Sequence, residues 1–277
     1  MVKLEQKNDG FVIKMQYSAG FEQWFLLMSD EHYDSKHCDR QLLTKHHEEA
    51  LERNAGILKF GDIFDCMGGK YDKRTSKGDL RPEYQTSKYF DTIERDAANY
   101  YRKYADNILL ITDGNHELSI LKNHEVNLLD RLCERINVQR GKYSGFIRFQ
   151  FELKNHPSQG TKSVTMYYNH GSGGNSPVTR GAIKTNRRQH DIEADLYVSG
   201  HIHTSMEIPR PRIRLNQQLI VELYEPEHIL LGTYKNDFMT GGWADMKEFS
   251  APNLGGYWLR FYYEKHRIKY EIVRAKK

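Results

Sequence analysis

Short apolar runs separated by polar clusters recur along the chain, and their lengths distinguish strands from helices. Trp24-Phe25-Leu26-Leu27-Met28 is a continuous apolar run that stops at Ser29-Asp30-Glu31-His32. Runs of this length mark strands covered on both faces. Residues 39–53 carry Leu42, Leu43, His46, Ala50 and Leu51 at helical spacing, with Gly56 as C-cap. Ile57-Leu58-Lys59-Phe60 is the next strand, ending in Gly61-Asp62-Ile63-Phe64-Asp65. The pattern predicts a helix over 84–106, a strand over 107–111 running into Asp113-Gly114-Asn115-His116-Glu117, and a helix over 118–136. Alternation predicts strands over 146–153 and 164–168, the second ending in Asn169-His170-Gly171. A helix over 182–192, a strand over 196–199 that meets Gly200-His201-Ile202-His203, and a hairpin over 257–263 and 268–274 complete the pattern. Residues 66–83 read as a long polar surface loop. Such alternation predicts an α/β fold.

The 277 residues show no repeat, charge block or Pro/Ser-rich linker, so they read as a single domain over 1–277. Apolar residues at 38%, charged residues at 28% and only 7 prolines exclude a disordered or collagen-like chain. No apolar run approaches the roughly 20 residues needed to cross a membrane. The first residues lack an apolar signal segment, so the expectation is a cytoplasmic protein with no membrane partner. A net charge of +4 permits an anionic partner without requiring one. The 3 cysteines are far apart in sequence and form no disulfide framework or metal motif. The 13 histidines change the picture, because several sit in short Gly, Asp or Asn contexts after strands.

Five segments share one order: an apolar strand, then Gly or Ser, then Asp, Asn or His. Ligands of α/β sheets sit beyond the carboxyl ends of strands. Neighbouring strand ends would therefore gather Asp30, His32, Asp62, Asp65, Asn115, His116, His170, His201 and His203 into one cleft. Alternation lets Asp30 and His32 face one point while Glu31 faces away, and treats His201 and His203 likewise. Seven of these nine, two carboxylates, an amide oxygen and four imidazoles, form a mixed N/O set. It suits Mn²⁺ first, with Fe, Zn²⁺, Co²⁺ or Ni²⁺ as alternatives, rather than Ca²⁺, Mg²⁺ or an Fe–S cluster. Seven ligands exceed the needs of one such ion and suit two divalent ions about 3.5–4 Å apart, which activate a hydroxide for in-line attack on phosphorus.

Asp30-x-His32, Gly61-Asp62-x-x-Asp65, Gly114-Asn115-His116-Glu117, His170-Gly171 and Gly200-His201-x-His203 resemble, in order, the motifs of the calcineurin-like metallophosphoesterase superfamily. The resemblance covers residues 24–204. It implies a two-sheet β-sandwich flanked by helices, with 205–277 as strands completing the sandwich or as a small cap. It implies one ion held by Asp30, His32, Asp62 and His203 and a second held by Asp62, Asn115, His170 and His201. It further implies a bridging role for Asp62, a catalytic His116 beside the phosphoryl group, and Asp65 orienting His116. The sequence Met67-Gly68-Gly69-Lys70-Tyr71-Asp72 resembles phosphoesterases encoded by bacteriophages.

Departures from the superfamily's subgroups narrow the substrate. Protein Ser/Thr phosphatases place arginines after GDxxD and before GNHE, where this chain has Cys66-Met67 and Asp113. Double-strand-break repair nucleases place His where Asp65 stands. Without the dianion clamp, the expectation is a phosphodiesterase, with a nuclease among the options, and a phosphomonoesterase as the alternative. A silent scaffold has no need to bury seven polar ligands. Lys70, Lys73, Arg74, Lys77 and Arg81 place positive charge in the long loop, compatible with a nucleic-acid backbone. The loop from Gly171 to Ser176 and the basic residues after it nominate Asn175 and Arg180 as substrate contacts, near Lys184, Arg187 and Arg188. Arg210, Arg212 and Arg214 suit either an exposed edge strand or a phosphate-contacting loop. His46-His47 lacks the HExxH pattern and reads as a solvated helix face. His37, His124, His156, His190, His228 and His266 read as surface or loop residues, and Cys66 as a small packed thiol.

Overall fold

A computed structural model describes residues 2–66, 77–154, 161–174, 176, 179, 181–216, 218–238 and 251–276. Two sheets form the centre. The first has seven strands in the order β1 (Leu4–Lys7), β2 (Gly10–Tyr17), β7 (Ser144–Leu153), β8 (Thr161–Asn169), β9 (Leu196–Ser199), β13 (Glu227–Leu230) and β10 (Met206–Pro209). The second has six, in the order β15 (Arg267–Arg274), β14 (Tyr257–Glu264), β3 (Glu22–Met28), β4 (Gly56–Phe60), β5 (Ile108–Thr112) and β6 (Arg140–Gly141). A separate ribbon pairs β11 (Arg212–Leu215) with β12 (Val221–Tyr224). The helices are α1 (Arg40–Glu52), α2 (Tyr89–Tyr101), α3 (Asn115–His124), α4 (Leu128–Ile136) and α5 (Ala182–Asp191).

Strand β3 is apolar from Trp24 to Met28, and Phe25–Met28 are buried because both faces are covered there. Phe25 and Leu27 enter the core between the sheets with Phe60, Phe149, Phe151, Met166, Val198 and Phe261. Leu26 and Met28 enter a second core with Leu42 and Leu43 of α1, Ile93 and Ala97 of α2, and Leu129 and Leu132 of α4. Each fully buried side chain of this size contributes about 1.5–3 kcal/mol. The fold is α/β, a two-sheet sandwich with helices outside, as the motifs imply. Strands β3, β4 and β5 are mutually parallel, and β8 is parallel to β9, so their carboxyl ends can supply one site. After residue 205 the chain gives β10 and β13 to the first sheet and β14 and β15 to the second. Among the described residues, no helix is long and apolar enough to cross a membrane.

Several expectations change. The helix expected over 118–136 is two helices, α3 and α4. Glu125 is left-handed at φ 57°, and the Asn127 side chain caps α4 by accepting from the Asp130 amide. The helix expected over 84–106 is regular only over α2, between 3₁₀ turns at Pro82–Tyr84 and Arg102–Tyr104. The expected loop at 66–83 holds a 3₁₀ turn at Lys77–Asp79 and a bridge from Leu80 to Ser35, and its residues 67–76 lie outside the described ones. The N-terminal hairpin β1–β2 had no predicted counterpart. His46 and His47 are fully buried rather than solvated, because they extend the Leu42–Leu43–Ala50 face of α1. His46 Nδ1 lies 2.8 Å from Tyr234 Oη, and His47 Nδ1 lies 2.7 Å from the Leu43 carbonyl. His228 is also buried, at 2.9 Å from Ser199 Oγ and stacked on Tyr197.

Glu31 does turn away from the strand-end cluster, into the helix-side core. There it pairs with Lys59, itself fully buried, and accepts from Tyr101 Oη at 2.6 Å. Removing one member of a buried pair leaves an uncompensated charge. Lys59→Met should therefore destabilise the protein by about 3–5 kcal/mol, and adding Glu31→Gln should restore most of that loss. Urea unfolding of both variants checks this, and equal loss in the two would exclude the charge as the cause.

Candidate metal centre

The site forms where the carboxyl ends of both sheets meet. The strand ends that meet are those of β3, β4 and β5 on one sheet and of β8 and β9 on the other. After β3 and β4 the chain continues in paired fashion: Asp30 N donates to Gly61 O at 3.0 Å, His32 N to Asp62 O at 3.0 Å and Tyr33 N to Ile63 O at 2.8 Å. On the other sheet, Gly200 N donates to His170 O at 2.9 Å. Asp30, His32, Asp62, His201 and His203 all have left-handed backbone, with φ between 46° and 75°. Such non-glycine conformations cost of order 1–3 kcal/mol each and persist where surrounding structure fixes them.

Two glycines make the convergence possible. A Cβ on Gly114 would lie 2.1 Å from Asp62 Oδ1, and one on Gly200 would lie 2.0 Å from Ser29 Oγ and 2.3 Å from Asp30 Oδ2. Each glycine of a motif thus makes room for the acidic end of another. Glu117 locks the same junction, accepting from the amides of Gly114 at 2.9 Å, Asp62 at 3.0 Å and Phe64 at 3.0 Å.

The seven expected ligands converge in two groups. In one, Asp30, His32 and His203 present atoms within 4.8 Å of one another. His32 Nε2 and His203 Nε2 face each other at 3.2 Å, and His203 Nε2 lies 3.3 Å from Asp30 Oδ1. In the other, Asp62, His170 and His201 come together. Asn115 Oδ1 joins them, 3.1 Å from His170 Nε2 and 2.6 Å from His201 Nδ1, while Asp62 Oδ2 lies 3.1 Å from His170 Nε2. His170 Nδ1 lies 2.8 Å from the Phe60 carbonyl, which can only accept, so Nε2 is the atom left to face the cleft. Asp30 Oδ2 accepts from Ser29 Oγ at 2.6 Å and from His201 N at 2.8 Å, but Oδ1 is buried with no hydrogen-bond partner in the structure. Facing imidazole nitrogens beside an orphaned carboxylate oxygen fit divalent cations, and the N/O donors suit a first-row metal.

His116 is in the first turn of α3. Its amide donates to Asp62 Oδ1 at 3.0 Å, and its Nε2 lies 3.6 Å from Asp62 Oδ2. Its expected orientation by the Asp65 carboxylate changes in detail. Nδ1 is 3.1 Å from the Asp65 main-chain carbonyl and 3.6 Å from Oδ1. The carboxylate instead meets His32 Nδ1 at 2.9 Å, turning His32 Nε2 towards the first group. Lys235, partly buried behind the site, reaches both Asp65 oxygens at 3.0 Å. Nothing in the sequence around Lys235 marked it, and Asp34, whose Oδ1 accepts from the Asp65 amide at 2.6 Å, was equally silent. Glu117 had a signal, its place after His116, but no assigned role. Cys66 is buried, as expected. Asn175 and Arg180 lie outside the described residues.

The site's charges are strongly coupled. Burial alone would raise Asp30, but His170 and His203 hold it down to about 2. Burial would also raise Asp62 and Asp65, yet the histidines beside Asp62 and Lys235 beside Asp65 hold both well below the usual carboxylate range. Burial pushes His32 down to about 4, against the pull of Asp65. His170 runs the other way: Asp62 and Asp30 overcome burial and push it up to about 10. Burial and neighbouring carboxylates raise Asp34 to about 7 and Glu117 to about 8.

No family model matches the sequence, and no curated protein matches it. Solved structures do. The chain is similar to a metallophosphoesterase from Sphaerobacter thermophilus, at 12% identity over 91% of this chain and 88% of that one, with a TM-score of 0.41. It is similar to GAP50, the anchor in the inner membrane complex of Plasmodium, at 13% identity over 92% and 85%, with a TM-score of 0.42. It is also similar to a conserved uncharacterized protein and predicted phosphoesterase from Streptococcus pneumoniae TIGR4, at 12% identity over 92% and 91%, with a TM-score of 0.33. At these TM-scores the likenesses carry no functional weight, and function is read from the site itself.

A proton and a cation compete for His170 Nε2. The raised pKa means that the metal-free chain keeps this stabilising proton fully below pH 6.5 and loses it as pH rises through about 10. Metal affinity should therefore strengthen over the same window. Calorimetric titration of Mn²⁺ into metal-stripped protein at pH 6.5 and near pH 10 checks this, and a pH-independent affinity would remove His170 from the ligand set.

Proposed function

We propose that this chain is a dinuclear metal-dependent phosphoesterase of the calcineurin-like type, and that its substrate is a phosphodiester. The observation that carries the reading is the convergence of Asp30, His32 and His203 on one side and Asp62, Asn115, His170 and His201 on the other, with no thiolate among them. In this reading Asp62 would be the ligand shared by the two ions. The two bound ions, Mn²⁺ by preference, would supply charge for an in-line displacement at phosphorus and the acidity that makes water a nucleophile.

The chain's own groups do the rest. Asp65 and Phe60 orient His32 and His170 through their Nδ1 atoms. The Asp65 carbonyl accepts from His116 Nδ1–H, which leaves Nε2 for the substrate side; a ring protonated at both nitrogens would there hand the Nε2 proton to the leaving oxygen and end neutral. Asp113, where a protein phosphatase has arginine, is tied through both oxygens to Arg140 at 2.8 and 2.9 Å. That leaves no dianion clamp at this position. A cleft of about 190 Å³ beside Gly171 and Gly200 is lined by Lys184, Arg187 and Arg188. Its cationic rim supports a substrate with a charged chain, nucleic acid included.

Metal-stripped protein given Mn²⁺ should hydrolyse bis-p-nitrophenyl phosphate in preference to p-nitrophenyl phosphate. Preference for the monoester would turn the reading to a phosphomonoesterase, and inactivity towards both with two ions bound would exclude catalysis of this type. His116→Asn should keep both ions but lower turnover by about 10²–10⁴. Metal content by mass spectrometry alongside initial rates checks this, and unchanged turnover would take His116 out of the mechanism.

A further inference from the structure

The β11–β12 ribbon is amphipathic in the reverse of the usual sense. In antiparallel pairing, opposed residues share a face, as do residues two apart. The register sets Ile213 opposite Leu223 and Leu215 opposite Val221, which puts four apolar side chains on one face. The other face holds Arg212, Tyr224, Arg214 and Glu222. The polar face lies towards the body of the protein: Tyr224 Oη is 2.8 Å from the Ala194 carbonyl and 3.0 Å from Asp195 Oδ1. The apolar face looks outward. Ile213, Leu215, Val221 and Leu223 are 58–78% exposed, and Leu219 and Ile220 at the turn are 77% and 61% exposed. At the turn, Asn216 Oδ1 accepts from the amides of Gln218 and Ile220 at 3.0 Å each.

We propose that this face is a contact between two copies of the chain. At about 100 Å² of apolar surface per aliphatic side chain, the six exposed fractions present about 400 Å². A standard interface buries about 800 Å² per partner, of which roughly 57–65% is apolar, so the patch supplies most of the apolar part of one. The face carries no charge. Arg214 is spent on Glu222 at 2.6 Å and on the Tyr224 ring, both on the reverse side. Two identical faces can thus meet about a two-fold axis without burying an unpaired charge. A lipid surface fits less well, since membrane-binding faces set aromatic anchors around the apolar patch and the six exposed side chains here are all aliphatic.

The ribbon stands beside Ala194 and Asp195, at the amino end of β9, whereas His201 and His203 follow its carboxyl end. Dimer formation therefore leaves the metal centre open. Sedimentation equilibrium of the full chain at about 10 µM should show a dimer with Kd in the micromolar range or below. Ile213→Lys combined with Leu223→Glu should fold normally, because both positions are exposed, yet weaken association at least ~100-fold, about 2.7 kcal/mol. Circular dichroism verifies the fold. A wild-type chain monomeric at about 100 µM overturns the proposal. So does a double variant that remains dimeric. Wild-type monomer that floats with phosphatidylserine vesicles would give the face to a lipid surface instead.

Discussion

Clearance between backbone and carboxylate governs the working end of this protein. Asp62 and Asp30 are buried, and each is held by main-chain amides of a segment far away in sequence: His116 N for one, His201 N for the other. Those amides can approach only because Gly114 and Gly200 lack a side chain. The motif glycines therefore close the gap between segments rather than loosen it. Alanine at either place would push apart the strand ends that carry the histidines, and the left-handed backbone at five site residues shows how fully their neighbours constrain them.

The same strands serve core and site by alternation. Phe25 and Leu27 pack between the sheets, Leu26 and Met28 pack under the helices, and the next residues switch to Asp30 and His32 on one side and Glu31 on the other. Glu31 then needs a buried cation, and Lys59 supplies it from the middle of β4. A rigid double-sided sheet is what allows ligand atoms to be fixed within a few ångströms of one another, which loops alone hold less well.

The ligand-bearing segments were legible because each couples an apolar run to a short polar group, a pattern local enough to read in one dimension. The sandwich came from the motif resemblance, since periodicity cannot assign strands to sheets. What escaped depended on distant packing. His46, His47 and His228 look like surface histidines until the residues covering them, Tyr234, Lys59 and Ser199, arrive from elsewhere in the chain. Lys235 is in an unremarkable segment, and only the return of residues 233–235 behind Asp30 places it on Asp65. The division of 118–136 into two helices turned on the capping side chain of Asn127, a signal present in the sequence but masked by strong helical periodicity.

Charge balance argues against a purely structural role for the centre. Asp30 and Asp62 are buried and Asp65 nearly so, all three are held in their ionised forms, and among the described lysines and arginines the one in direct contact with them is Lys235, on Asp65 alone. The remaining balance falls on imidazoles, and His170 takes a proton at an unusually high pH to provide it. His32 is pushed the opposite way and stays neutral, facing His203 nitrogen to nitrogen. A scaffold would gain by replacing such a set with apolar side chains of similar volume, which are often as stable or more so. Strained backbone, an orphaned carboxylate oxygen and opposed imidazoles are instead what a centre preorganised for cations requires, and stability is surrendered there for binding.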